Sequence, residues 1–226
     1  MSLSIKILPS LLAADFGKLE AGARLAELSG ADELHIDIMD GHFVPNLSMG
    51  PDVVEMSRRS VKIPLSVHLM VTSPEQMIAR FAKAGASTIF VHVEEAVTCD
   101  KQGLLKLIAE LGVRPGITLN PETEAEAVFP YIGQASEILC MTVHPGYGGQ
   151  DFIESVLPKI RTIRERLNSD KLETDIMVDG GINMKTAALC AASGANSFVA
   201  GTALYGLSDM KAGISDMRIA AERARR

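Results

Sequence analysis

Short apolar or β-branched runs alternate along the chain with longer stretches whose apolar positions recur every three or four residues. The cycle repeats eight times. The short runs read as strands at 5–9, 33–39, 64–70, 87–93, 114–119, 137–143, 174–179 and 197–201. The amphipathic stretches between them read as helices over 17–29, 51–60, 74–85, 101–112, 122–133, 153–168, 184–193 and 208–224. Ser73-Pro74-Glu75 and Asn120-Pro121-Glu122 put a capping side chain before a proline and an acid, a helix-start signal. Gly30, Gly85, Gly112, Gly133 and Gly194 read as helix stops. Eight alternating units favour a closed parallel (β/α)8 TIM barrel, an α/β fold, over an open doubly wound sheet. The turn after the first strand, Ser10 to Asp15, has no glycine before Gly17, which argues against a dinucleotide-binding turn. No linker or low-complexity tract divides the chain, so a single barrel domain over 1–226 is expected.

Composition adds bounds. With 47% hydrophobic residues in 226, the chain can bury a sizeable core without disulfides. Cys99, Cys140 and Cys190 have no CxxC spacing and read as small buried hydrophobes, which favours a reducing, cytoplasmic location. The opening segment Met1 to Lys6 runs into a strand pattern without the apolar core of a signal peptide. No apolar run is long enough to span a bilayer, so no membrane partner is expected. The formal charge is −6. Arg218, Arg223, Arg225 and Arg226 read as a solvated helix end, and no nucleic-acid partner is expected.

Candidate chemistry gathers at the strand ends, where the active site of a parallel barrel forms. His35 and Asp37 are two residues apart near the end of one strand and so share a face. His68 and Asp179 end two others. A single histidine in an apolar strand is ordinarily a hydrogen-bonded core group. Four such residues at matching depth point instead to a metal site, with carboxylates available for proton transfer. A buried aspartate needs a partner, and these strand ends carry no lysine or arginine, so a cation from outside fits. Imidazole and carboxylate suit zinc, iron(II), manganese or cobalt.

The stretch Pro145-Gly146-Tyr147-Gly148-Gly149-Gln150 puts three glycines in four residues after the sixth strand. Gly180-Gly181 and Gly201-Thr202 follow the seventh and eighth. Each pair alone could be an ordinary tight turn; together at one barrel end they point to a phosphate cradle built from backbone N–H groups. Met39, Met70 and Met141 sit near strand ends and read as core filler. Beside a reacting carbanion, their thioethers would exclude water without donating protons. His42 falls in a loop, and His92 reads as a hydrogen-bonded barrel histidine.

These segments, together with His35-Ile36-Asp37-Ile38-Met39-Asp40-Gly41-His42-Phe43-Val44-Pro45-Asn46, His68-Leu69-Met70 and Val178-Asp179-Gly180-Gly181, closely resemble the ribulose-phosphate 3-epimerase family. The resemblance runs in order along nearly the whole chain. It implies one divalent metal held by His35, Asp37, His68 and Asp179, with Asp37 and Asp179 as the acid–base pair. It also implies substrate contacts from Ser10, His68, Gly146, Tyr147, Gly148, Gly149, Gly180, Gly181, Gly201 and Thr202. The implied substrate is a sugar phosphate, the first expectation being D-ribulose 5-phosphate converted to D-xylulose 5-phosphate through an enediolate. No organic cofactor is expected, and a homo-oligomer is.

Three positions depart from the family pattern. His144 stands where asparagine is more usual, Met177 where glutamate is usual, and Thr202 where serine is usual. The first two open the alternative of another ketose phosphate, such as D-allulose 6-phosphate or a ketotetrose phosphate. A phosphosugar decarboxylase would need a lysine two residues after Asp37, where Met39 stands. A non-catalytic phosphosugar-binding protein would not need the two aspartates.

Overall fold

The computed structural model describes residues 3–225, so Met1, Ser2 and Arg226, part of the expectations above, lie outside the described residues. The strands are β1 (Lys6–Pro9), β2 (Leu34–Met39), β3 (Leu65–Met70), β4 (Thr88–His92), β5 (Arg114–Leu119), β6 (Glu137–Met141), β7 (Asp175–Asp179) and β8 (Ser197–Ala200). They form one eight-stranded sheet in the order β1-β8-β7-β6-β5-β4-β3-β2, with every ladder parallel. Between β1 and β2 the sheet closes through a single parallel bridge, Ser10 to His35. The result is the expected barrel.

Alternation along each strand divides the side chains between two cores. Ile36, Ile38, Val67, Leu69, Ile89, Val91, Ile138, Cys140, Ile176 and Val178 face outward and pack beneath the helices. Leu8, Phe90, Leu139, Met141, Met177 and Val199 face inward and form a separate cluster that fills the barrel. Room for Phe90 comes from Gly116 on the neighbouring strand, where a Cβ would lie only 2.3 Å from the ring. Below that cluster the interior is charged. Lys6 pairs with Glu33 at 3.4 Å and Asp175 at 2.6 Å, and Arg114 pairs with Glu33 at 3.1 Å and Glu137 at 3.3 Å.

The helices are α1 (Leu19–Leu28), α2 (Pro51–Ser60), α3 (Ile78–Ala84), α4 (Lys101–Glu110), α5 (Leu157–Ser169), α6 (Met184–Ala192), α7 (Thr202–Tyr205) and α8 (Met210–Ala224). The helix expected over 122–133 is absent. A 3₁₀ run, Ala125–Tyr131, takes its place because Pro130 lies inside it and has no N–H to continue an α-helical ladder. Asn120-Pro121-Glu122 therefore opens a turn, whose Asn120 and Pro121 carbonyls accept from Lys159 Nζ at 2.7 Å each. The helix expected from 74 begins as a 3₁₀ turn, and Ser73 makes no side-chain cap. Gly30, Gly85, Gly112 and Gly194 adopt positive φ as stop signals require, but Gly133 does not.

Two surface expectations are corrected. Arg218 is not simply solvated, because Nη1 donates to Ile5 O and Asp32 Oδ2, each at 2.9 Å, and Arg225 Nη1 donates to Leu3 O at 2.5 Å. These bonds tie the last helix to the segments that lead into β1 and β2. Cys140 and Cys190 are buried free thiols, whereas Cys99 is only part-buried and its Sγ donates to Glu75 Oε2 at 2.7 Å.

Candidate active site

Because β2 and β3 pair in register, with Asp37 opposite His68, their inward side chains meet at the C-terminal mouth of the barrel. His35, Asp37, His68 and Asp179 each bring one ligand-type atom to a group whose members all lie within 4.8 Å of one another. His35 Nδ1 contacts Ser66 Oγ at 2.9 Å, which turns Nε2 toward the carboxylates. That Nε2 stands 3.4 Å from Asp37 Oδ1 and 4.0 Å from Asp179 Oδ2. It is buried and has no hydrogen-bond partner among the described residues. His68 Nδ1 lies 3.2 Å from Asp37 Oδ1, and Ser10 Oγ donates to Asp37 Oδ2 at 2.7 Å. An orphaned buried nitrogen facing two carboxylates fits a cation held by all four residues.

Burial acts to raise both carboxyls. At Asp37 the adjacent His35 charge and the hydrogen bond with His68 override it and hold the group well below the usual carboxylate range. At Asp179 burial is reinforced by the Asp37 charge, and the carboxyl is pushed up to about 7. One aspartate is therefore ionised near neutrality while the other retains much of its proton. Burial, with His92 and His35 nearby, drives His68 down to about 4 against the opposing pull of Asp37. Its imidazole is neutral and can offer a lone pair.

Above these residues lies a cavity of about 560 Å³. Its wall includes Ser10, Asp37 and Asp179, the run Gly146 to Gly149 with Tyr147, and Gly180, Gly181, Gly201 and Thr202. His35 and His68 are fully buried beneath its floor, outside the lining. Met39, Met70 and Met141 contribute apolar wall, almost wholly buried. The loops around the mouth depend on glycine. Gly180 has φ 112°, and a Cβ there would meet Val143 at 2.3 Å. Gly181 has φ 64°, and its Cβ would come within 2.7 Å of the Phe152 backbone nitrogen.

Several contacts of this site were not legible in the sequence, although Tyr147 was expected at the substrate and His92 as a hydrogen-bonded barrel histidine. Asn46 Nδ2 donates to Gly146 O at 2.8 Å and Tyr147 Oη donates to Pro45 O at 3.0 Å, so the loop after β2 clamps the glycine loop after β6. Lys185, in the first turn of α6, is the one cationic side chain among the described lining residues. His92 extends the histidine cluster, with Nε2 2.8 Å from His68 Nε2 and Nδ1 2.6 Å from Glu94 Oε2. Burial acts to raise Glu94, but hydrogen bonds from His92, Asn120 and Thr123 outweigh it and hold the carboxyl low. The signal was present: His92-Val93-Glu94 repeats the i, i+2 spacing of His35 and Asp37 at another strand end.

Of the three departures noted in the sequence, Thr202 lines the pocket, while His144 and Met177 lie off it. His144 is 63% exposed and pairs with Glu122 at 3.0 Å, outside the lining. Met177 is fully buried in the inner cluster. The motive they gave for a longer or shorter ketose phosphate falls away.

A model of the ribulose-phosphate 3 epimerase family matches residues 6–205. The ribulose-phosphate 3-epimerase of Bacillus subtilis is 46% identical over 216 residues, covering 95% of this chain and 98% of that protein. The enzyme of that name from Escherichia coli K12 is 39% identical, covering 94% of each. Among solved structures, KGPDC from Streptococcus mutans aligns with TM-score 0.68 at 12% identity, covering 98% and 99% of the two chains. A 3-hexulose-6-phosphate synthase aligns at 0.66 with 18% identity, covering 96% and 99%. Those two likenesses speak for the barrel alone. The family match and the full-length relatives leave the decarboxylase and non-catalytic readings without support. The chain belongs to the ribulose-phosphate 3-epimerase family and is an isomerase.

Proposed function

We propose that the protein is a metal-dependent epimerase that interconverts D-ribulose 5-phosphate and D-xylulose 5-phosphate by inverting C3 through an enediolate. The observation that carries this reading is the meeting of Asp37 and Asp179 in one pocket with their acidities displaced in opposite directions. The names of the full-length relatives support the choice of substrate.

Inversion at a carbon beside a ketone needs a proton removed from one face and another delivered to the opposite face. Asp37, ionised and oriented by the Ser10 hydroxyl, serves as the base on one face. Asp179, poised near neutrality, serves as the acid on the other, and the reverse reaction exchanges the roles. His35, Asp37, His68 and Asp179 would hold the divalent ion, of which zinc, iron(II), manganese and cobalt suit the donors. When bound, the ion supplies Lewis-acid stabilisation of the negative charge that develops on the substrate. Met39, Met70 and Met141 line the wall with groups that cannot donate a proton and so protect the carbanion from adventitious quenching. Backbone N–H groups of Gly146 to Gly149, Gly180, Gly181, Gly201 and Thr202 would cradle the phosphate, with Lys185 adding a positive charge. A cytoplasmic location accords with the free cysteines, and a homo-oligomer with the family resemblance.

Incubation of metal-loaded protein with D-ribulose 5-phosphate in deuterated water tests the chemistry. Deuterium should enter C3 as xylulose 5-phosphate accumulates. Failure of both, with each of the four metals supplied in turn, would exclude the reading. Light scattering tests the oligomer, which a concentration-independent monomer would reject.

A further inference from the structure

A buried chain of polar contacts leads from the candidate metal centre to Glu94. His68 Nδ1 faces Asp37 at 3.2 Å, His68 Nε2 meets His92 Nε2 at 2.8 Å, and His92 Nδ1 meets Glu94 Oε2 at 2.6 Å. The other Glu94 oxygen, Oε1, accepts from the Asn120 backbone N–H at 2.7 Å and the Thr123 hydroxyl at 2.8 Å. Both histidines are wholly buried. Phe43 packs against His92 with ring centroids 4.5 Å apart. No solvent is needed to complete this chain.

The protons in it are not independent. An ionised carboxylate only accepts, so His92 Nδ1 carries a hydrogen. In an imidazole with its single hydrogen on Nδ1, Nε2 is bare and can only accept. His68 Nε2 must supply the proton in the 2.8 Å contact between them. That leaves the His68 lone pair on Nδ1, the atom turned toward Asp37, in the form a cation binds.

We propose that Glu94 is a positioning residue which, through His92, sets the tautomer of His68 required for metal binding. This rests on the metal reading above and gives the outer end of the chain a task. Glu94→Gln is the informative substitution. The Asn120 N–H still demands an acceptor, so the amide oxygen stays there and the NH2 group faces His92 Nδ1. His92 must then accept at Nδ1 and donate from Nε2, which moves the His68 proton onto Nδ1.

Zinc affinity, measured by competition with a chromogenic chelator, should fall about 10–100-fold in Glu94→Gln relative to wild type. Thermal unfolding of the metal-free proteins should stay close, and Glu94→Asp should recover part of the affinity. Glu94→Gln binding zinc as tightly as wild type would overturn the relay and leave the metal reading standing. Wild type that binds no zinc would overturn both. If Glu94→Gln does not fold, nitrogen-15 NMR of histidine-labelled, zinc-loaded wild type decides. A protonated Nδ1 and bare Nε2 on His92 support the relay; the opposite tautomer overturns it.

Discussion

Asp37 and Asp179 carry the sharpest consequences at the scale of single residues. Asparagine at either position keeps the size and one oxygen but cannot move the proton. Positioned acid–base groups contribute about 10²–10⁴-fold in rate, so each substitution should lower kcat by at least about 10²-fold with the barrel still folded. Steady-state rates from each epimer, with metal content measured alongside, check this; near-full activity with unchanged metal would end the two-carboxylate mechanism. His144 gives the opposite expectation. It is exposed and off the pocket, so His144→Asn should stay within about 2-fold of wild type in kcat/KM, the range of an ordinary surface change. A larger change would mean that its pairing with Glu122 reaches the substrate. His35, Asp37, His68 and Asp179 were legible because four such side chains recur at matching strand ends, where any one alone would read as an ordinary core group. His92 and Glu94 were harder to read, since their importance comes from contacts across strands.

At the scale of elements, the loops at the mouth are where backbone conformation and binding meet. Gly181→Ala must place a Cβ at φ 64° against the Phe152 backbone. The left-handed conformation alone costs an L-residue roughly 1–2 kcal/mol, and the contact adds to it. We expect a lower thermal midpoint and a raised KM for the sugar phosphate, with the loss of binding exceeding what partial unfolding explains. Unchanged KM would remove Gly181 from the phosphate cradle. The eight strands lie where the apolar runs placed them, with ends shifted by only a residue or two, because strand length and alternation are written locally. The segment 122–133 misled the pattern, since its apolar spacing is helical while Pro130 denies the ladder a donor. α7 was invisible for another reason: four residues are too few to show a period.

For the molecule as a whole, the two ends of the barrel interior divide between chemistry and stability. The mouth holds the candidate active site, while the base sets part-buried Lys6 and Arg114 against Glu33, Glu137 and Asp175. Burial, with the Glu33 charge, pushes Glu137 up to about 7 despite Lys6 and Arg114. Between its ordinary value of 4.5 and about 7 the folded state binds more of this proton than the unfolded state. The Glu137 contribution to stability is therefore full below pH 4.5 and is lost as pH rises through about 7. Glu137→Gln should gain thermal stability relative to wild type progressively across that window. A difference between the two melting midpoints that does not change with pH would refute this.

The sequence by itself determined the alternation of strands and helices, the parallel barrel it implies, the inward pair His35 and Asp37, and the glycine loops. All of these follow from periodicity and residue type, which act over a few positions. Tertiary structure alone decided what those residues meet. Closure of the barrel brings Asp179 to within 4.0 Å of His35, some 140 positions away in the chain. It sinks Met177 into the core and sends His144 to the surface, and it joins His92 and Glu94 to His68. Acidity needed both: His35, two residues before Asp37, is a local difference from Asp179, but only burial and the meeting of the two carboxyls in the closed barrel push Asp179 up to about 7.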